Sequence, residues 1–111
     1  MKDSKESTAS KKLQLQLVPT ALNREVSKAL ACGAKKHGGA YNWRDESKDR
    51  IKFMTYIGAI RRHLDVLLDG EDFDEESDAH HLGNIAATCG ILLDARDHGR
   101  LEDDRPKNPT I

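Results

Sequence analysis

Acids and imidazoles crowd the stretch from Arg61-Arg62-His63 through Gly70-Glu71-Asp72-Phe73-Asp74-Glu75-Glu76-Ser77-Asp78-Ala79-His80-His81. Carboxylates this dense repel one another unless a cation sits among them, and histidines flank them on both sides, so the residue types point to a hard divalent metal held between two helices. The candidate ligands are His63, Asp72, Glu75, Glu76, Asp78 and His81, the last placed to orient one of the others. If the helix that follows already includes Glu75, then Glu75, Asp78 and Leu82 share one of its faces. The competing reading is a helix start, with Asp74 or Ser77 as N-cap, Glu75 and Glu76 favouring the macrodipole, and Arg61 or Arg62 neutralising the acids. Residue types alone leave that choice open. His80 and His81 are about 100° apart on a helix, so only one can share a direction with His63. His81, beside Leu82 and Ile85, is expected inward and His80 in solvent.

A second constellation is Lys35-Lys36-His37-Gly38-Gly39-Ala40-Tyr41-Asn42-Trp43-Arg44. Its chemistry suits a nucleotide: Lys35, Lys36 and Arg44 for phosphate oxygens, Asn42 for a base or sugar edge, and Trp43 for stacking. A glycine turn with Trp43 covering a helix pair as core has the same residues.

The elements that must position these groups are helical. Pro19 and Thr20 open a first helix carrying Leu22, Val26, Leu30 and Gly33, which ends near Gly38-Gly39. Ser47 is an N-cap for a second helix, whose residues Phe53, Ile57, Ile60, Leu64, Leu67 and Leu68 recur at three and four up to Gly70. A third begins between Asp74 and Asp78, carries Leu82, Ile85, Ala86, Cys89, Leu92 and Leu93 on one face, and closes at His98-Gly99. Two long helices with a short link must lie antiparallel. Leu13, Leu15 and Leu17 alternate as a short extended segment would. Residues 1–12 read as a loose polar arm, 13–99 as one helical catalytic domain, and 100–111, with Pro106 and Pro109, as an irregular tail.

Composition narrows the classes. With 111 residues and 37% hydrophobic content the core is modest, so the helical bundle is expected to be completed by oligomerisation, as a dimer or tetramer. A formal net charge of -1 gives no field to recruit nucleic acid or a membrane surface. Cys32 and Cys89 lack metal or redox spacing and are expected buried and reduced. No membrane span or signal core is visible, which places the expected location in the cytoplasm.

Taken in order, Gly33-Ala34-Lys35-Lys36-His37-Gly38, Tyr41-Asn42-Trp43-Arg44, Arg62-His63-Leu64, Gly70-Glu71-Asp72, Asp74, Glu76-Ser77 and His81-Leu82 resemble the MazG-like all-α nucleotide pyrophosphohydrolases, most closely the phage dATP/dGTP diphosphohydrolase branch. The resemblance covers about residues 17 to 95. It implies hydrolysis of a purine deoxynucleoside triphosphate to monophosphate and pyrophosphate with Mg2+ or Mn2+, Glu75 and Glu76 serving as catalytic carboxylates. Relatives commonly have Glu-Ser-Gly where this chain has Glu76-Ser77-Asp78, and a histidine where it has Asn84. Of the superfamily's two acidic pairs, Glu75 with Asp78 fits the second, while the second helix offers only His63, Asp65 and Asp69 for the first. The rival expectations are a non-catalytic helical adaptor whose acidic link binds a basic partner, and a broader house-cleaning pyrophosphatase.

Overall fold

Apolar residues three and four apart build α1 (Thr20–His37), α2 (Phe53–Leu68) and α3 (His81–Asp97) in a computed structural model that describes residues 11–107. Of the expected loose arm only Lys11 and Lys12 fall among the described residues, both exposed, and the end of the expected tail, 108–111, lies outside them. The class is all-α, with one pair of two-residue strands added.

α3 is the central helix, with α1 and α2 packed on it. The single apolar face expected for it is not formed: it has neighbours on two sides, so its apolar residues are distributed around its axis, and Leu82, Cys89 and Leu93 are exposed. Phe53, at the start of α2, packs against Leu92 and Ala95 near the end of α3, while His63 near the end of α2 meets His81 at the start of α3; the two helices are antiparallel. α1 runs parallel to α3, since Glu25 meets Gly83 early in both and Ala34 shares a cleft with Ile91 and Asp94 late in both. A Cβ built on Gly83 would sit 2.5 Å from the Glu25 Cβ and 2.8 Å from its carbonyl carbon, so glycine is what permits this crossing.

The ends of α1 and α3 fall where glycine and local polarity place them. Gly38 caps α1 at φ 96°, with the Gly39 amide donating to Ala34 O at 2.8 Å. The starts of α2 and α3 differ from expectation. Ser47 caps nothing: its amide and hydroxyl both donate to Asp45 Oδ1, closing a turn. Ile51–Lys52 instead pairs in parallel with Leu101–Glu102, as β1 and β2, and α2 starts only at Phe53. Its first-turn amide at Met54 donates to Asp104 Oδ1 at 2.8 Å, a cap supplied from 50 residues away. The expected irregular tail is therefore tied into the domain as far as Arg105, whose guanidinium lies over the Phe53 ring.

α3 starts at His81, several residues later than expected, because Asp78 adopts φ 59° and the backbone there forms a turn instead. Leu15–Leu17 is a short 3-10 helix and not an extended segment: among the described residues no strand pairs with it, and i→i+3 bonds satisfy the backbone locally. Cys89 is exposed and Cys32 half-buried, correcting the expectation that both are core. The core itself is small: Ile51, Leu92 and Ala95, walled by Trp43, Phe53, Tyr56, Ile57, Ile60 and Leu101. Leu64, Leu68, Phe73, Leu82 and Leu93 stay exposed in the single chain.

Candidate active site

Faces of all three helices and one loop converge on one cleft. From α1 come Leu30, Gly33, Lys36 and His37; from the following loop, Asn42 and Trp43; from α2, Thr55, Tyr56, Ala59 and Arg62; from α3, Asn84, Ala87, Thr88 and Ile91. Its volume is about 500 Å³, inside the span of ordinary small-molecule sites. Three residues of the proposed nucleotide set, Lys36, Asn42 and Trp43, thus share one cavity. Lys35 does not join them and lies on the outer side of α1 with Cys32, Glu76 and Asp78. Asn42 anchors the loop by donating to Gly39 O at 3.0 Å.

Arg44 is committed elsewhere. Its guanidinium holds Asp94 with two 2.7 Å bonds, and the Trp43 indole donates to the same carboxylate at 2.7 Å. Arg44 also stacks over Tyr41 at 4.2 Å. The Arg44 guanidinium, then the indole N–H, hold the Asp94 carboxyl well below the usual carboxylate range. So the expected phosphate contact for Arg44 is replaced by a structural knot, and Trp43 is at once core and cleft wall.

The link, Asp69 to His80, resolves its charge without gathering it. The Asp74 carboxylate accepts from the Ser77 hydroxyl at 3.0 Å and the Glu76 amide at 3.3 Å, and the Asn84 amide reaches Ser77 Oγ at 3.2 Å. Backbone bonds from Asp74 N to Ala79 O and from Asp78 N to Asp74 O close the loop over Ala79, which is fully buried. Glu75, Glu76 and Asp78 face solvent, and Glu76 pairs with Lys36, which raises the Lys36 pKa. Glu75, Asp78 and Leu82 do not share a helix face, because the first two precede the helix. The φ of 59° at Asp78 explains why glycine suits this position, and aspartate is among the side chains that tolerate it.

Among the described residues no group of three or more His, Cys, Asp or Glu side chains is arranged to hold a metal ion. The donor chemistry of Asp72, Glu75, Glu76 and Asp78 is right for magnesium or manganese, but exposed turn positions spread them apart. The expected cage of His63, Asp72, Glu75, Glu76, Asp78 and His81 is not formed as one set; the histidines are bonded to one another and to Glu71.

His81 is 3% exposed. Its Nδ1 lies 2.8 Å from His63 Nδ1, and its Nε2 lies 2.7 Å from Glu71 Oε2. His80 is half-buried and not solvent-facing: its Nδ1 accepts from the Leu82 amide as the α3 N-cap, and its own amide donates to Glu25 Oε1 at 2.9 Å. That amide, then Arg24 and Lys28, lower the Glu25 pKa to about 2. Sequence reasoning gave no site role to Glu71, Asn84 or Asp94. Glu71 stands in the Gly-Glu-Asp motif and Asn84 one turn after His81, signals that were present; nothing local marks Asp94 as a partner for residues 50 positions earlier.

A family model described as dATP/dGTP diphosphohydrolase, N-terminal, matches residues 2–105. The chain belongs to that family. It is also similar to a Salmonella phage PMBT28 protein named dATP/dGTP diphosphohydrolase, 29% identical over 94 residues. That match covers 85% of this chain and 30% of the phage protein, so the chain spans less than a third of its relative's length. No solved structure matches the chain. Among the described residues, no helix is long and apolar enough to cross a membrane.

Proposed function

We propose that this chain hydrolyses the purine deoxynucleoside triphosphates dATP and dGTP to monophosphate and pyrophosphate, with the nucleotide in the cleft between α1, α2 and α3. The observation that carries the reading is the lining of that one cavity: Lys36, His37 and Arg62 offer donors to phosphate oxygens, Asn42, Asn84, Thr55 and Thr88 offer hydrogen bonds to sugar and base, and Trp43 and Tyr56 offer aromatic faces. A triphosphate at this mouth competes with Glu76 for Lys36, and an exposed ion pair gives up little when exchanged. Asp94 and Arg44 hold the loop that presents Asn42 and Trp43.

Dependence on magnesium or manganese belongs to the proposal, with the cation entering on the triphosphate and not in a cage built beforehand. Assembly into a dimer or tetramer belongs to it as well, since Leu64, Leu68, Phe73, Leu82 and Leu93 leave apolar area uncovered in one chain; light scattering reads the mass directly. A phage-encoded enzyme of this kind acts in the host cytoplasm on the deoxynucleotide pool.

The deciding experiment incubates purified protein with each dNTP and magnesium or manganese, with EDTA controls, and separates the products. Monophosphate plus pyrophosphate from dATP and dGTP is expected. Release of single phosphates overturns the bond assignment, and equal turnover of pyrimidine or damaged nucleotides favours the house-cleaning reading. No turnover favours the non-catalytic helical adaptor, whose exposed acidic link, with Glu75, Glu76 and Asp78 facing solvent, would meet a basic partner.

A further inference from the structure

The rows of side chains that line the cleft continue to its link end in two histidines. On α2, His63 follows Ala59 by four residues and Tyr56 by seven; on α3, His81 precedes Asn84 by three, so each lies on the cleft-lining row one helical turn further on. The rings meet at 2.8 Å through Nδ1, with centroids 5.0 Å apart. His81 is almost fully enclosed, and Glu71 Oε2 closes its other nitrogen at 2.7 Å.

With Glu71 ionised and both rings neutral, this bonding pattern sets the hydrogens. A carboxylate at Glu71 only accepts, so His81 Nε2 carries a hydrogen. With one proton on each ring, His81 Nδ1 is then the acceptor and His63 Nδ1 the donor. Neither bond uses His63 Nε2, and in that tautomer it holds a lone pair.

We propose that His63 is the catalytic base of the hydrolysis, with His81 and Glu71 as positioning residues that fix its tautomer, an inference that rests on the nucleotide site proposed above. In the step, His63 Nε2 removes a proton from water while the water oxygen forms a bond to the α-phosphorus. The bond from that phosphorus to the α,β-bridging oxygen breaks, and its electron pair leaves with pyrophosphate. The resulting imidazolium is stabilised through Nδ1–H to His81, and through His81 to the Glu71 carboxylate, until the proton is released to solvent. The groups facing His63 are His81 from α3, Asp74 from the link and Arg62 from α2, with Glu71 behind His81. Burial, then His81, lower its pKa against an opposing contribution from Asp74, with a smaller lowering from Arg62.

The test is His63→Asn, whose amide retains a donor near the Nδ1 position and has nothing at Nε2. With dATP and dGTP, kcat is expected to fall by about 100-fold or more. Affinity for a non-hydrolysable dATP analogue and helix content by circular dichroism should be unchanged, and the acidic limb of the kcat profile should vanish. Glu71→Gln should lower kcat less and move that limb to lower pH, because the imidazolium loses its distant anion. A wild-type enzyme that turns over dATP alongside a His63→Asn variant of equal kcat overturns the base and leaves the nucleotide reading standing. A variant that loses affinity but keeps kcat makes His63 a binding group and also overturns it. A wild-type chain inactive on every nucleotide overturns both. Should the variant fail to fold, 15N spectra of the wild-type imidazoles decide instead: a hydrogen on His63 Nδ1 and none on Nε2 supports the assignment, and the reverse tautomer overturns it.

Discussion

The two ends of α3 use polar groups in opposite ways. At the tail end, Asp94 is taken up by Arg44 and Trp43, and Arg100, only 8% exposed, donates to the carbonyl oxygens of Trp43, Lys48 and Asp49. Each of these groups is directed at the protein itself and fixes the loop between α1 and α2. At the link end, Lys36 meets Glu76 at the surface, Glu75 and Asp78 face water, and the Glu71, His81, His63 chain stops at a ring nitrogen that neither of its bonds uses. A saturated network positions; a chain with an open end can act on something else. The saturated end should therefore dominate stability, and the open end should dominate turnover.

The strongest way to break that contrast is Asp94→Ala, which strands a half-buried guanidinium and an indole N–H together. It should cost about 3 kcal/mol, read from urea melts; a loss below about 1 kcal/mol would place the knot among ordinary surface contacts. Next comes Gly83→Ala, where the added methyl meets the Glu25 backbone and forces α1 away from α3. About 2 kcal/mol is expected, and an unchanged midpoint would mean that the crossing is looser than described.

Acid sharpens the same comparison. The folded pKa of Asp94 lies below its ordinary value, and that of Glu25 is lowered to about 2, so both contribute stability that is complete above the unfolded carboxylate range and is lost as pH falls through the folded values. Stability should decline progressively below about pH 4, and Asp94→Asn should flatten that decline. The smallest effect on stability belongs to the open end. Lys36→Ala removes an exposed pair and should leave the melting temperature essentially unchanged while raising KM for dATP on the proposed nucleotide reading. A large drop in melting temperature would return Lys36 to the scaffold.

Much of the architecture was legible from local pattern. The stripe from Phe53 to Leu68 is an α-helix, Gly38 and Gly39 end α1, and His98-Gly99 ends α3, because periodicity and left-handed glycines act through neighbours in the chain. That His81, and not His80, shares a direction with His63 was legible from angular spacing and the neighbouring Leu82 and Ile85; that the two rings bond was not. The misplaced helix starts share a cause: Ser47 and Asp74 have capping chemistry, but Asp104 and His80 perform the capping, one of them from a distant segment. The dense acids invited a metal cage, yet a left-handed Asp78 and the Asp74, Ser77 and Asn84 bonds turn most of them outward. Asp94 went unassigned because its partners lie 50 residues away.

Sequence by itself determined three helices, where two of them stop, and an ordered set of motifs sufficient to place the chain in its family. Only the tertiary structure decided which cations are spent on the scaffold and which line the cleft. It also decided that Glu71, His81 and His63 form one chain. Helix periodicity is written in steps of three and four residues, whereas the partner of a charged group is chosen by packing between segments that share no local signal.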